Sequence, residues 1–151
     1  MSPSPDTVPR DGDPVTIRVI PWPDATIDRL GFAAHSAYVE WCWLPRIGPS
    51  GTWAYRRLVG GFETSPEGYD LDLVELARSL GLGTGVSRNA PVSRTLARLC
   101  AFGLATAPTE RTIAVRRKAP PLTARQLERL SPRLQRVHAG LMARHRPAPP
   151  A

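Results

Sequence analysis

The sequence predicts a mainly α fold of the α+β class, and three observations carry that expectation. Several segments repeat apolar side chains at helical spacing between a polar capping residue and a glycine or proline stop. Strand-like alternation is confined to short runs, "VTIRVI" at 15–20 and two stretches about a turn at Pro108 to Arg111. The chain of 151 residues, 42% hydrophobic and 22% charged, holds material for one packed core and too little for two.

Taken in order, the strand at 15–20 is closed by the extended "PWP". Asp24 caps a brief helix to Leu30, with Gly31 as its stop. Ser36 caps "AYVEWCWL", which is apolar almost all round and should be buried, and which Pro45 is expected to end. Its aromatics Tyr38, Trp41 and Trp43, with Trp53 and Tyr55, are expected to pack the N-terminal elements onto the rest. Left exposed, they would suit a homodimer face instead. Ser50 caps the next helix, in which Trp53, Ala54 and Leu58 share a face and Gly60–Gly61 supplies the end. "SPEG" reads as a type I turn. Asp72, with Glu75 three residues on, starts "LVELARSL", and Gly81 closes it in the left-handed conformation.

The helix Asn89–Phe102 follows, capped by Asn89, with Pro91 in its first turn. Val92, Leu96 and Leu99 form its buried stripe, and Arg94, Arg98 and Ala101 face outward. In the hairpin beyond it, Ile113 and Val115 point one way and Thr112, Ala114 and Arg116 the other. Thr123 and Gln126 make a capping box for a short helix. Ser131 and Pro132 open the last one, whose apolar side is Leu134, Val137, Leu141 and His138. The organisation expected is an irregular tail 1–14, a strand and helices at 15–48, a central region 49–118, basic helices at 119–146 and an irregular tail 147–151.

Charge is unevenly spread. The net is +7. Residues 1–75 carry six Arg against eleven Asp or Glu, a net of −5, and residues 76–151 carry fourteen basic side chains against Glu110 and Glu128, a net of +12. Such polarity attracts a polyanion to one side, and nucleic acid is the usual one. A high-GC coding habit explains nineteen Arg against one Lys, but not the loss of acids from the second half. No leader pattern and no apolar run of membrane-spanning length are seen, so a cytoplasmic protein is expected, with Cys42 and Cys100 reduced and packed.

Catalytic constellations are not expected. Asp70, Asp72 and Glu75 are accounted for by capping and the helix dipole. His138 and His145, seven residues apart, lack metal-ligand spacing on a helix. "GLGTG" follows a helix rather than a strand, which removes the context of a cofactor loop, and no nucleophile elbow is present. No enzyme activity, no cofactor and no metal are therefore expected.

"LVELARSLGL" and "VSRTLARLCAFGLA", followed by a hairpin, resemble the positioning helix, recognition helix and wing of winged helix–turn–helix domains. The likeness spans 49–118, and the whole layout is loosely similar to small winged-helix proteins of high-GC, actinobacterial-type bacteria. The loop "LGTGVSRNAP" is longer than the turn usual between those two helices. The resemblance implies a protein bound to double-stranded DNA, nucleoid-associated when bound, and a transcriptional regulator. Docked in the major groove, Asn89, Ser93, Arg94 and Arg98 would face base edges. Arg88, Arg116, Arg117 and Lys118 would hold phosphates, and Arg111 at the wing tip would reach a minor groove. Each has a plainer alternative: a solvated helix face for Arg94 and Arg98, a soluble strand edge for the "RRK" run, a helix cap for Asn89. A second class of function is a protein-interaction module of a replication or phage-type assembly. Nothing in the pattern specifies a target sequence or a small-molecule effector.

Overall fold

The computed structural model describes residues 15–149; the expected tail 1–14 and residues 150–151 lie outside them. Its elements are β1 (Thr16–Pro21), α1 (Ala25–Leu30), β2 (Phe32–Ala33), a π-type turn (Val39–Trp43), α2 (Leu44–Gly60), a 3-10 turn (Gly61–Glu63) and β3 (Tyr69–Asp72). They continue with α3 (Leu73–Ser79), α4 (Pro91–Ala101), β4 (Ala105–Thr109), β5 (Thr112–Val115), β6 (Lys118–Ala119), α5 (Ala124–Glu128) and α6 (Pro132–Arg144). The α+β class holds.

Four strands form one sheet in the order β3-β1-β5-β4. The N-terminal strand is interior. It runs antiparallel to β3, with Ile17 opposite Leu71, and parallel to β5, with Val19 opposite Ile113. Ile17 and Val19 face the core while Thr16 and Arg18 face water, the alternation of a half-buried strand. Strand β5 departs from the expected alternation, because Ile113, Ala114 and Val115 are all buried. The small Ala114 side chain lies in register between Ile20 and Thr106 on the flanking strands, which shade it from solvent. Strand β3 carries no sequence signature of its own, since its first turn and the cap of α3 use the same residues.

The helical run from Ala37 does not stop at Pro45. The Leu44 N–H bonds the Val39 carbonyl, five residues back, and this widened turn feeds directly into α2. Pro45 then stands in the first turn of α2. The break falls at Gly48 (φ 76°, ψ 170°), a backbone state that favours glycine, and Pro49 restarts the helix. Ser50 is therefore inside the helical run rather than at its cap; Thr52 Oγ1 instead donates to the Gly48 carbonyl at 2.9 Å.

Caps elsewhere follow the sequence. Asp24 accepts from the amides of Thr26 and Ile27, Asp72 from those of Val74 and Glu75, and Ser131 from Leu134. Thr123 and Gln126 complete their reciprocal box. Gly81 takes φ 70° after α3, with the Leu82 N–H returning to the Ala77 carbonyl. Helix α4 is the exception. Its capping position is Ala90, without a side-chain bond, because the Ala90 N–H closes a turn on the Ser87 carbonyl and leaves Asn89 exposed one residue further out.

One hydrophobic cluster joins N-terminal, central and C-terminal elements. Of the aromatic block, Tyr38, Trp43 and Tyr55 are buried, and the last two also reach across the chain. Trp43 Nε1 donates to the Pro120 carbonyl at 3.0 Å, and the Tyr55 hydroxyl to the Arg116 carbonyl at 2.9 Å. Trp41 and Trp53 remain 43% and 54% exposed, so Trp53 does not share the core face of Ala54 and Leu58.

Helix α6 docks through a column of rings. Phe32 stacks on Tyr38 at 3.7 Å and on His145 at 3.9 Å, and His138 tilts against Tyr38. The Tyr38 hydroxyl accepts from the Leu122 N–H at 2.8 Å, so its own proton is free to go to His138 Nε2, 3.0 Å away. His138 is the one fully buried side chain of α6, while Leu134, Val137 and Leu141 are half-buried. Beyond the helix, the Ala148 N–H bonds the Arg29 carbonyl, so the expected irregular tail is tied down there.

Burial lowers the His138 pKa from its ordinary 6.5, which favours the neutral ring that accepts the Tyr38 proton. A depressed pKa contributes stability above the unfolded value and loses it as pH falls. Urea midpoints are therefore expected to drop between about pH 7 and pH 5, and His138→Gln to flatten that slope. Tyr38→Phe leaves both the Leu122 amide and His138 without a partner and is expected to cost about 1–3 kcal/mol in the same assay.

Candidate nucleic-acid interface

Helix α4 presents three strips. Val92, Thr95 and Leu99 are buried against the core. Ser93, Leu96, Ala97 and Cys100 line a groove of about 360 Å³ toward the hairpin, whose far wall includes Ile17, Ile113 and Arg111. Arg94 and Arg98 lie on the remaining strip, exposed, and line a furrow of about 330 Å³ against α2 with Ile47, Ser50 and Leu82. The spacing of Arg94 and Arg98, one helical turn, sets both on this flank, away from the hairpin.

The expected site residues divide accordingly. Arg88, Asn89, Arg94 and Arg98 are exposed along α4 and the loop before it, and Arg111 is exposed at the hairpin tip. The Arg111 backbone is fixed there, its carbonyl accepting from the Arg18 N–H at 2.7 Å. Ser93 turns inward, donating its hydroxyl to the Val86 carbonyl at 3.2 Å, which pins the long α3–α4 loop. Cys100 is half-buried in the groove, where burial raises its thiol pKa, and both cysteines are free.

The "RRK" run does not join this surface. Strand β5 carries it away from the tip to the base of the hairpin. Arg116 donates Nε to the Gly103 carbonyl at 2.8 Å, reaches Asp24 at 3.5 Å and lies over the Trp22 ring at 3.8 Å. Its side chain is 14% exposed, and its charge is spent within the fold. Arg117 donates to the Pro66 carbonyl and covers Phe62. Lys118 sits in β6, paired with Ala33 of β2. Arg116 and Arg117 thus make structural contacts at the base of the sheet.

One cation that the sequence did not single out, Arg46, meets Arg98 at the C-terminal end of α4. The Arg46 guanidinium lies 5.0 Å from the centre of the Phe102 ring, and the Arg98 guanidinium 5.9 Å from the same ring. Arg46 Nε is buried without a hydrogen-bond partner. Burial, and next the neighbouring charge of Arg129, lower the pKa of Arg46. Among the described residues the ion pairs are Arg18–Asp70 and Arg116–Asp24, so Arg46, Arg94, Arg98 and Arg129 have no carboxylate within bridging distance. Arg46 was hidden by its place after Pro45, where the sequence promised a helix end rather than a side chain facing α4.

In comparison with known proteins, the chain matches no protein-family model, no curated protein and no solved structure. Among the described residues no three His, Cys, Asp or Glu cluster as a metal could require, and no helix is long and apolar enough to cross a membrane.

The two kinds of arginine are separable by stability. Arg116→Ala removes a buried charged hydrogen bond and a ring contact and is expected to cost about 2–4 kcal/mol. Arg94→Ala, on the exposed strip, is expected to stay within about 0.5 kcal/mol of the parent in parallel urea titrations.

Proposed function

We propose that this chain is a DNA-binding protein of the winged helix–turn–helix type, acting as a transcriptional regulator. The observation that carries it is the exposed strip of α4, where Arg94 and Arg98 have no carboxylate partner among the described residues and Arg88 and Asn89 lead at the N-terminal end. The element order α2, β3, α3, α4 and then the β4–β5 hairpin supports the same proposal. A helix of this width fits the major groove of B-DNA, and its N-terminal residues reach deepest. Asn89 and Arg94 have the donor geometry for base edges, while Arg88 and Arg111 flank them as backbone contacts. The −5 balance of residues 1–75 and the +12 balance of the remainder orient the molecule on the duplex.

A second reading has its own observation. Trp41 and Trp53 are large apolar side chains left 43% and 54% exposed, which suits a protein partner or a second copy of the chain. The two readings part on one double variant. Arg94→Glu with Arg98→Glu is expected to abolish binding to a labelled random duplex across a salt series, while the parent protein shows a log–log slope of about −0.9 per phosphate neutralised. Absence of duplex binding by the parent at low salt sinks the regulator proposal and leaves the interaction module.

A further inference from the structure

We infer that the furrow between α4 and the broken helix α2 is a phosphate-binding site, lined by Arg94 and Arg98, with Arg46 meeting Arg98 over Phe102 beside it. Arg94 and Arg98 line the furrow, and the Arg46 guanidinium shares the Phe102 ring with that of Arg98. Like charges brought together repel, and burying Arg46 Nε without an acceptor costs a further hydrogen bond. Nothing among the described residues offsets either cost: none of the three makes an ion pair or donates a side-chain bond to a protein acceptor. Elsewhere the same fold does satisfy its arginines, as Arg56 on the Ala34 carbonyl and Arg116 on Gly103 show. A buried Arg46 Nε without an acceptor, beside the exposed Arg94 and Arg98, is the arrangement that an incoming anion completes.

The chemistry selects phosphate. Guanidinium forks match a tetrahedral oxyanion with two parallel bonds each, and Arg holds its charge even where burial lowers its pKa. Phe102 holds two of the forks on one ring, which limits the rotamer freedom lost on binding. Ile47 and Leu82 add apolar surface to its walls.

The ligand is a phosphate ester, and the inference rests on the DNA proposal only for the source of that phosphate, a duplex backbone or a free phosphorylated molecule. On a duplex, Arg98 and Arg46 hold the backbone and set register, and sequence discrimination falls to Asn89 and Arg94.

Two arms test it. In the first, thermal unfolding of the full chain is followed with millimolar pyrophosphate against chloride of matched ionic strength. A rise of about 3 °C or more is expected for the parent and for Arg133→Gln, an exposed site on α6 with the same loss of charge. Arg98→Gln and Arg46→Gln are expected to lose the rise, and should Arg46→Gln not fold, Arg98→Gln decides alone. No rise in the parent, or an equal rise in Arg98→Gln, overturns the site. In the second arm, Arg98→Gln and Arg46→Gln are each expected to lower the salt slope by about 0.9 on two unrelated duplexes alike. Duplex binding with an unchanged slope overturns the furrow while leaving the DNA proposal standing. A pyrophosphate response without duplex binding upholds the site, refutes the DNA proposal and assigns the phosphate to a free ligand.

Discussion

Strand β1 is the constraint on which the other elements depend, because it supplies hydrogen-bond partners to both β3 and β5. Without it the hairpin would be a two-stranded ribbon, which is marginal in water, and β3 would have no ladder at all. Its reach extends beyond the ladder. The Leu73 N–H at the start of α3 bonds the Val15 carbonyl, and the Arg18 N–H bonds the Arg111 carbonyl at the hairpin tip. One short segment thus fixes the origin of α3 and the position of the tip together. The groove beside α4 owes its width to the same strand, since Ile17 forms part of its floor.

Much of this was legible from local chemistry. Asp24, Asp72, Thr123 with Gln126, Ser131 and Gly81 act within one turn of themselves, so their neighbours in sequence are their neighbours in space. What failed to read was decided at long range. Pro45 looked like a stop, yet the bond from Leu44 to Val39 opens a turn wide enough to carry the chain past it. Arg116 looked like a surface charge at a strand end, and it is an internal brace because Gly103 and the Trp22–Asp24 stretch converge on it from two distant segments. No periodicity in the sequence announces such a meeting. The strip of α4 that bears Arg94 and Arg98 was legible by angle alone, whereas its facing partner Arg46 was not.

Arginine abundance therefore means two different things in this chain. In the base of the sheet and around the N-terminal loop, Arg56, Arg116 and Arg117 cap carbonyls and cover aromatic rings, and a carbonyl-rich environment satisfies their forks. Such positions tolerate neither a neutral residue nor Lys well, because a fork and a planar face are both in use. Along α4 the arginines have neither carbonyl nor carboxylate partner among the described residues. A high-GC coding habit supplies Arg in both places indifferently, so composition cannot separate them, and partner geometry does.

The division of α4 into three strips also limits how it can meet a partner. Its buried strip is spent on the core, and Ser93 is spent on the loop, so the helix cannot rotate to present Leu96 and Cys100 without unmaking the Val86 contact. What faces out is the line from Arg88 through Arg94 to Arg98, bounded on one side by the groove toward Arg111 and on the other by the furrow toward Arg46. A duplex lying along that line would place its bases against the helix crest and its backbones over the two depressions. The furrow carries unpaired cations and the groove is mainly apolar with Arg111 and Glu110 at its rim, so the two flanks are unequal. The backbone on the furrow side would be held more strongly than the one beneath the hairpin, and the helix would dock tilted toward α2 rather than centred between its flanks.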